Sequence, residues 1–392
     1  MKWPFIQIGR VIVTTQYGLS MPPDTYGTMP IVGMKDIQGG RVNIDHSRSV
    51  TLTDEQAKPY KLKKGDLLLN RTNSPDLVGK SGLVYDDEDA VFASYLIRLT
   101  FDRTKADPEY INYCMNSEAG QRQIKALSTR AISQANINPT TFKQHFRIPL
   151  PSLTVQKHIA ATLRVWDAAI EKTEGVIAVK EKRFLWLNKS LISDQCKHWK
   201  HLHTEKIFNG ISEKNNGNEE LLSVTQNRGV IPRANLEGRV MSPEGSTDGY
   251  KLVKKGDFAI SLRSFQGGIE YSIYQGLISP AYTVLRSKLK IDYEFYRHFF
   301  KSYIFIEKYL SIAVIGIRDG KQISIPDFMT VKIPYPSLEQ QKKIAFVLNT
   351  ARQEIDLLKK QAEAYRKQKR GLMQKLLTGQ WRVKIDEGGR VK

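Results

Sequence analysis

Two cysteines, Cys114 and Cys196, are all the thiols that 392 residues contain, so no disulfide framework is available and a reducing cytoplasm fits. No stretch approaches the roughly 18 uninterrupted apolar residues of a membrane span. Met1 to Arg10 has no apolar run preceded by positive charge, so no signal peptide is expected. Acidic residues are scarce, 40 against 60 Lys and Arg, which leaves a net charge of +20. A surplus of that size attracts a polyanion, and nucleic acid is the commonest one a protein meets. Hydrophobic residues at 41% and aromatics at 9% exclude a disordered polyelectrolyte. The length suits two or three domains.

Catalytic signatures are missing as well. Val78-Gly79-Lys80-Ser81 ends like a phosphate-binding loop, but Ser74 stands where that loop needs a Gly to curl around a phosphate. No Gly-rich methyl-donor loop and no Asn-Pro-Pro-Tyr or Asp-Pro-Pro-Tyr tetrapeptide appears. Asp86-Asp87 lacks the Glu-x-Lys that marks metal-dependent nucleases. Cys196, His198, His201 and His203 cluster, but zinc usually takes paired ligands from two well-spaced segments. No metal is expected, and these histidines read as solvated or stacking groups. Catalysis by this chain is not expected.

What is present is a sequence written twice. Residues 148–163 return as 333–348, with ten of sixteen positions identical at a constant offset of 185. Upstream the match loosens: Gly65-Asp66 resembles Gly256-Asp257, Leu96-Ile97-Arg98 resembles Val284-Leu285-Arg286, and Asp107 to Tyr110 resembles Asp292 to Phe295. Each half is therefore a globular unit followed by a shorter, better-matched segment. The units are 1–151 and 201–336, and the segments are 152–200 and 337–385.

Those segments read as long helices opened by Ser152 and Ser337 as N-cap residues. In the first, ten positions from Ile159 to Leu191, spaced alternately by four and three, include eight apolar residues. The same frame at +185 runs from Ile344 to Leu376 with Lys369 its one charge. A seam of period 3.5 is a coiled-coil signal, and about 40 residues make a rod of roughly 60 Å. Two seams of equal length and register predict antiparallel pairing with each other. Gly175 is the weak point of the first, worth about 1 kcal/mol against Ala. In the globular units, Gly9–Thr14, Asp66–Asn70 and Val91–Leu99 read as strands and Tyr110–Leu127 and Phe295–Tyr309 as helices, with Pro139 and Pro326 in following loops. The fold class expected is mixed α and β (α/β), with a pseudo-twofold internal repeat. Net charge is +4, +4, +4 and +8 over 1–151, 152–200, 201–336 and 337–385, so charge alone does not say which part meets DNA.

The chain resembles the specificity subunits of type I restriction–modification systems. Tyr17-Gly-Leu-Ser20, residues 31–40, residues 65–74 and Val78-Gly79-Lys80 look like that family's target-recognition domain, and the two Ile-Pro-x-Pro-Ser-Leu-x-x-Gln-x-x-Ile-Ala segments are similar to its conserved helix starts. The second unit departs, with residues 262–265 where the first has 71–74. The resemblance implies that each unit reads half of a split, asymmetric double-stranded DNA target. It implies that the helices bind two copies of a methyltransferase subunit, which a restriction subunit can join. S-adenosylmethionine, ATP and magnesium then belong to those partners, and this chain needs no cofactor.

Base readers should be Arg, Asn, Gln, Ser or Thr on loops, because bidentate pairing to guanine or adenine needs those groups. The first unit offers Asn70, Arg71, Thr72, Asn73 and Lys80, then Arg130, Ser133, Gln134 and Asn136. The second offers Arg263, Ser264, Gln266, Arg318, Lys321 and Gln322. For the partner surface, Gln156, Lys157, Gln341 and Lys342 are identical pairs just inside the helix starts. The competing readings are a basic coiled-coil adaptor that reads no DNA, and a methyltransferase or nuclease fused to its own recognition domain. Sequence-selective binding would separate the first, and S-adenosylmethionine binding by the isolated chain would revive the second.

Overall fold

The computed structural model describes residues 3–382 apart from 23, 25, 76, 131–133, 215, 227, 237–246, 262–266 and 317–320. It divides into two units, residues 1–173 with 361–392, and residues 174–360. Compactness therefore divides the chain within the long helices, whereas sequence pattern divides it at their starts.

In the first unit the principal sheet has the order Ile12–Tyr17, Leu96–Phe101, Leu67–Asn70, Ser81–Leu83, Arg41–Val42, Ile37–Gln38. Its pairs are antiparallel except Arg41 with Leu83. The second unit repeats the first four positions as Phe208–Ile211, Tyr282–Ser287, Phe258–Ser261, Glu270–Tyr271, all antiparallel. The expected strand over Val91–Leu99 is two, Val91–Phe92 and Leu96–Phe101, separated by a turn. The helix expected over Tyr110–Leu127 is likewise two, Pro108–Asn116 and Glu118–Leu127. Ser117 ends one and caps the other by accepting the Gly120 N–H. Pro139 and Pro326 lie not in loops but in the first turns of short helices capped by Asn138 and Ser324, where a missing N–H costs nothing.

Two motifs of the repeat turn out to be internal clamps. Asp66 accepts the Lys63 N–H and pairs with Arg98 at 3.2 Å; Asp257 accepts the Lys254 N–H and pairs with Arg286 at 2.7 Å. Each ties a tight turn to the neighbouring strand. The cores differ in kind. The first is mostly aliphatic, and the second gathers Phe208, Phe258, Phe295, Tyr296, Phe299, Phe300 and Phe305 in edge-on and tilted ring pairs.

The long helices are Leu153–Asn188 and Leu338–Leu377, of 36 and 40 residues. The first runs unbroken through Gly175. Ser337 caps the second through the Gln340 N–H, and Gln340 returns the bond to the Ser337 N–H. Within the first unit, the start of one helix meets the end of the other: the Trp166 and Tyr365 rings lie 5.8 Å apart, and Lys369 pairs with Asp167. Leu372, Leu376 and Leu377 pack with Ile159 and Leu163 in the core of that unit, and the Trp3 indole donates to the Leu376 carbonyl. Within the second unit, Lys180 meets Glu354 and Lys359 meets Glu181, each at 2.6 Å. Among the described residues no helix is long and apolar enough to cross a membrane.

Candidate DNA interface

Strand Leu67–Asn70 carries the chain out of the first unit's main sheet. After Arg71 it enters a second, three-stranded sheet of order Thr129–Arg130, Ala135–Asn136, Thr72–Asn73. Ala135 pairs with Asn73 and Asn136 with Thr72. Two sequence clusters more than fifty residues apart thus become one small polar surface. Asn136 is exposed, and its side-chain oxygen accepts from both Arg71 Nε and Thr72 Oγ1, each at 3.3 Å. The Arg71 guanidinium sits over the Tyr17 ring, 4.7 Å from its centre. Asn73 turns back to accept the Ser74 N–H. Gln134 and Lys80 are exposed. Arg130 belongs to the outer strand of this sheet, and Ser133 lies outside the described residues.

Asn70 does not join them as a reader. It is fully buried, and neither atom of its amide finds a hydrogen-bond partner among the described residues. Its backbone explains the position: Asn70 N–H donates to the Lys80 carbonyl and its own carbonyl accepts the Gly79 N–H, which brings Gly79 and Lys80 back over it. Gly79 permits that fold with φ of +86°, and an added Cβ would stand 2.3 Å from the Ile124 side chain. The phosphate-loop look of this segment is a lid on a strand end.

In the second unit the corresponding hairpin is Val314–Ile315 with Gln322–Ile323, on which Gln322 is exposed and next to which Lys321 is exposed. Arg263, Ser264, Gln266 and Arg318 lie outside the described residues.

The partner surface needs one correction. Lys157 and Lys342 are exposed, but Gln156 and Gln341 are fully buried. Gln156 accepts the Asp107 N–H at 2.9 Å and donates to the Lys105 and Pro151 carbonyls. Gln341 accepts the Asp292 N–H at 2.8 Å and donates to the Pro336 carbonyl. Each amide saturates backbone groups at the junction of a long helix with its unit, so neither can face a partner.

The Cys/His cluster is structural. His201 bonds the Trp199 carbonyl and the Tyr309 hydroxyl and stacks on the Tyr309 ring, and His203 bonds the Thr330 carbonyl. Burial pushes the Cys196 thiol up to about 11, away from the thiolate a metal needs. Among the described residues no three His, Cys, Asp or Glu side chains could hold a metal ion. The second unit also holds a cleft of about 1250 Å³ lined by Phe184, Glu270, His298, Lys301 and Arg352. Burial raises the Glu270 carboxyl to about 7, while Lys301 beside it donates to Glu270 and to the Gln226 and Gly267 carbonyls. Tyr17 is the residue that reasoning from sequence passed over. The signal was an aromatic at a strand end, inside a motif already singled out.

Residues 20–182 and 201–364 each match the type I restriction modification DNA specificity domain. The chain is 28% identical, over 91% of its length and 88% of the relative's, to the putative type I restriction enzyme MjaX specificity subunit of Methanocaldococcus jannaschii. It is 24% identical, over 97% and 93%, to the MjaVIII specificity subunit of the same organism. Its fold is similar to the crystal structure of a type I restriction–modification S subunit from M. genitalium, with a TM-score of 0.59, 19% identity and 96% of each chain covered.

Proposed function

The chain belongs to the family of type I restriction–modification DNA specificity domains, and from that membership we propose how its two units divide the reading of DNA. Members of this family bind DNA and assemble with the other subunits of the complex. This chain is such a specificity subunit, a non-catalytic recognition protein with two target-recognition domains.

The proposal is that each unit reads one half of a bipartite, asymmetric target. Arg71, Thr72, Asn73, Gln134 and Asn136 form the first unit's reading surface, and Arg130, Ser133 and Lys80 serve the same half-site. Lys321, Gln322, Arg263, Ser264, Gln266 and Arg318 serve the second. One observation carries this: residues 72–73 and 135–136 meet in a single small sheet, where the Asn136 amide oxygen accepts from both Arg71 and Thr72. The two long helices pair antiparallel as a coiled coil that spaces the half-sites, a reading supported by the helix-to-helix contacts within each unit. Lys157 and Lys342 present the repeated surface to two methyltransferase subunits, through which restriction subunits join. S-adenosylmethionine, ATP and magnesium act on those subunits, and the assembly works in the cytoplasm.

The test is selection from a pool of randomised duplexes by the full chain, alone and with a type I methyltransferase subunit that co-purifies with it. The expected outcome is enrichment of two short, unlike sequences at a fixed spacing. Retention of the pool without enrichment would sink the reading and favour the adaptor.

A further inference from the structure

We infer that Tyr17 and Asn136 hold Arg71 as a preformed fork for one guanine, which makes Tyr17 a positioning residue for base recognition. This rests on the reading that the first unit binds DNA.

Arg71 is fixed from both ends. Its backbone N–H donates to the Tyr95 carbonyl at 3.0 Å and its carbonyl accepts the Ile137 N–H at 2.9 Å, so the main chain is held from two sides. The side chain is held on its face by the Tyr17 ring, 4.7 Å away, and at Nε by Asn136. Thr72 donates to the same Asn136 oxygen, which fixes the orientation of that amide. Nε is the nitrogen a guanine does not need. The two terminal nitrogens, which match guanine O6 and N7, carry no hydrogen bond or ion pair among the described residues.

Arg41 pairs with Glu171, Arg48 with Asp36 and Arg98 with Asp66, each guanidinium meeting a carboxylate. Arg71 instead has an aromatic face and an amide, contacts that orient a guanidinium without neutralising it. Tyr17 is 47% exposed, so its ring is not filling a core. Thr72, Asn73 and Asn136, which would share the contact, are uncharged hydrogen-bonding groups suited to a base edge. An arginine pinned at Nε approaches a base edge in one orientation, and orientation is what discrimination requires.

The test uses the full chain and duplexes carrying the selected target or single-base changes in it. In the wild type, one guanine of the half-site read by the first unit should be preferred roughly 5- to 150-fold. Arg71→Lys should abolish that preference and leave the other positions alone. Tyr17→Phe keeps the ring face and should retain the preference, whereas Tyr17→Ala and Asn136→Ala should lower it at that base pair only. Tyr17→Ala added to Arg71→Lys should cost nothing further. Melting temperature should not change with Tyr17→Ala. Equal loss on every duplex, with a shallower salt dependence, would identify a phosphate contact and overturn the inference. So would Phe and Ala behaving alike at position 17. A wild type that selects no sequence would overturn the DNA-reading proposal itself, a result distinct from either.

Discussion

Asn70 and Gln156 are both buried amides, and their surroundings give them opposite meanings. Gln156 accepts one backbone N–H and donates to two carbonyls, so removing it strands several polar groups at once. Gln156→Ala should therefore lower stability by about 2 kcal/mol, read as a shift in the urea midpoint, with Gln341→Ala behaving similarly. Binding of partner subunits by the folded fraction should not change. Neither burial was legible in the sequence. A polar pair repeated at a fixed offset looks like a shared surface, and only the backbone it saturates shows otherwise. His298 sets a pH dependence. It lies among Phe184, Glu294, Arg297, Asn349 and Arg352, bonded to Asn349 at 2.8 Å, and burial holds its imidazole below the usual value. A depressed folded value means the unfolded chain takes up the proton first, so this contribution is complete above the ordinary imidazole range and is lost as pH falls below it. Denaturant midpoints at pH 7.5 and 5.5 should differ more in the wild type than in His298→Gln.

At the scale of elements, the long helices were the most legible part, because apolar spacing of four and three is a property of sequence alone. Their weak point can be measured. Gly175 lies in a regular helical turn with nothing within 4 Å of an added Cβ, so Gly175→Ala should stabilise the protein by about 1 kcal/mol in a melting experiment. A neutral or negative change would show that the glycine serves a contact outside this chain. The repeated Asp and Arg motifs were legible as motifs but not as pairs, since Asp66 and Arg98 stand 32 positions apart and sheet order brings them together. The proposed reading surface was less visible still, because Thr72 and Asn136 become neighbours only through a strand pairing across 64 positions.

For the whole molecule, the surplus of +20 charges is spread over every segment, and it told of a polyanion without locating it. If the two exposed lysines at the helix starts serve equivalent partners, Lys157→Glu with Lys342→Glu should reduce methyltransferase copies below two per chain by native mass. A complex still holding two would remove these residues from the partner surface.

The first unit borrows residues 361–377 for its core, whereas the second is one uninterrupted stretch, 174–360. On a ribosome, domains ordinarily fold in the order they are made. Here the earlier-synthesised unit must wait with an open hydrophobic flank until Leu372, Leu376 and Leu377 emerge, so the later one can finish first. A released chain ending at residue 360 should protect the second unit from protease and leave the first unit digestible.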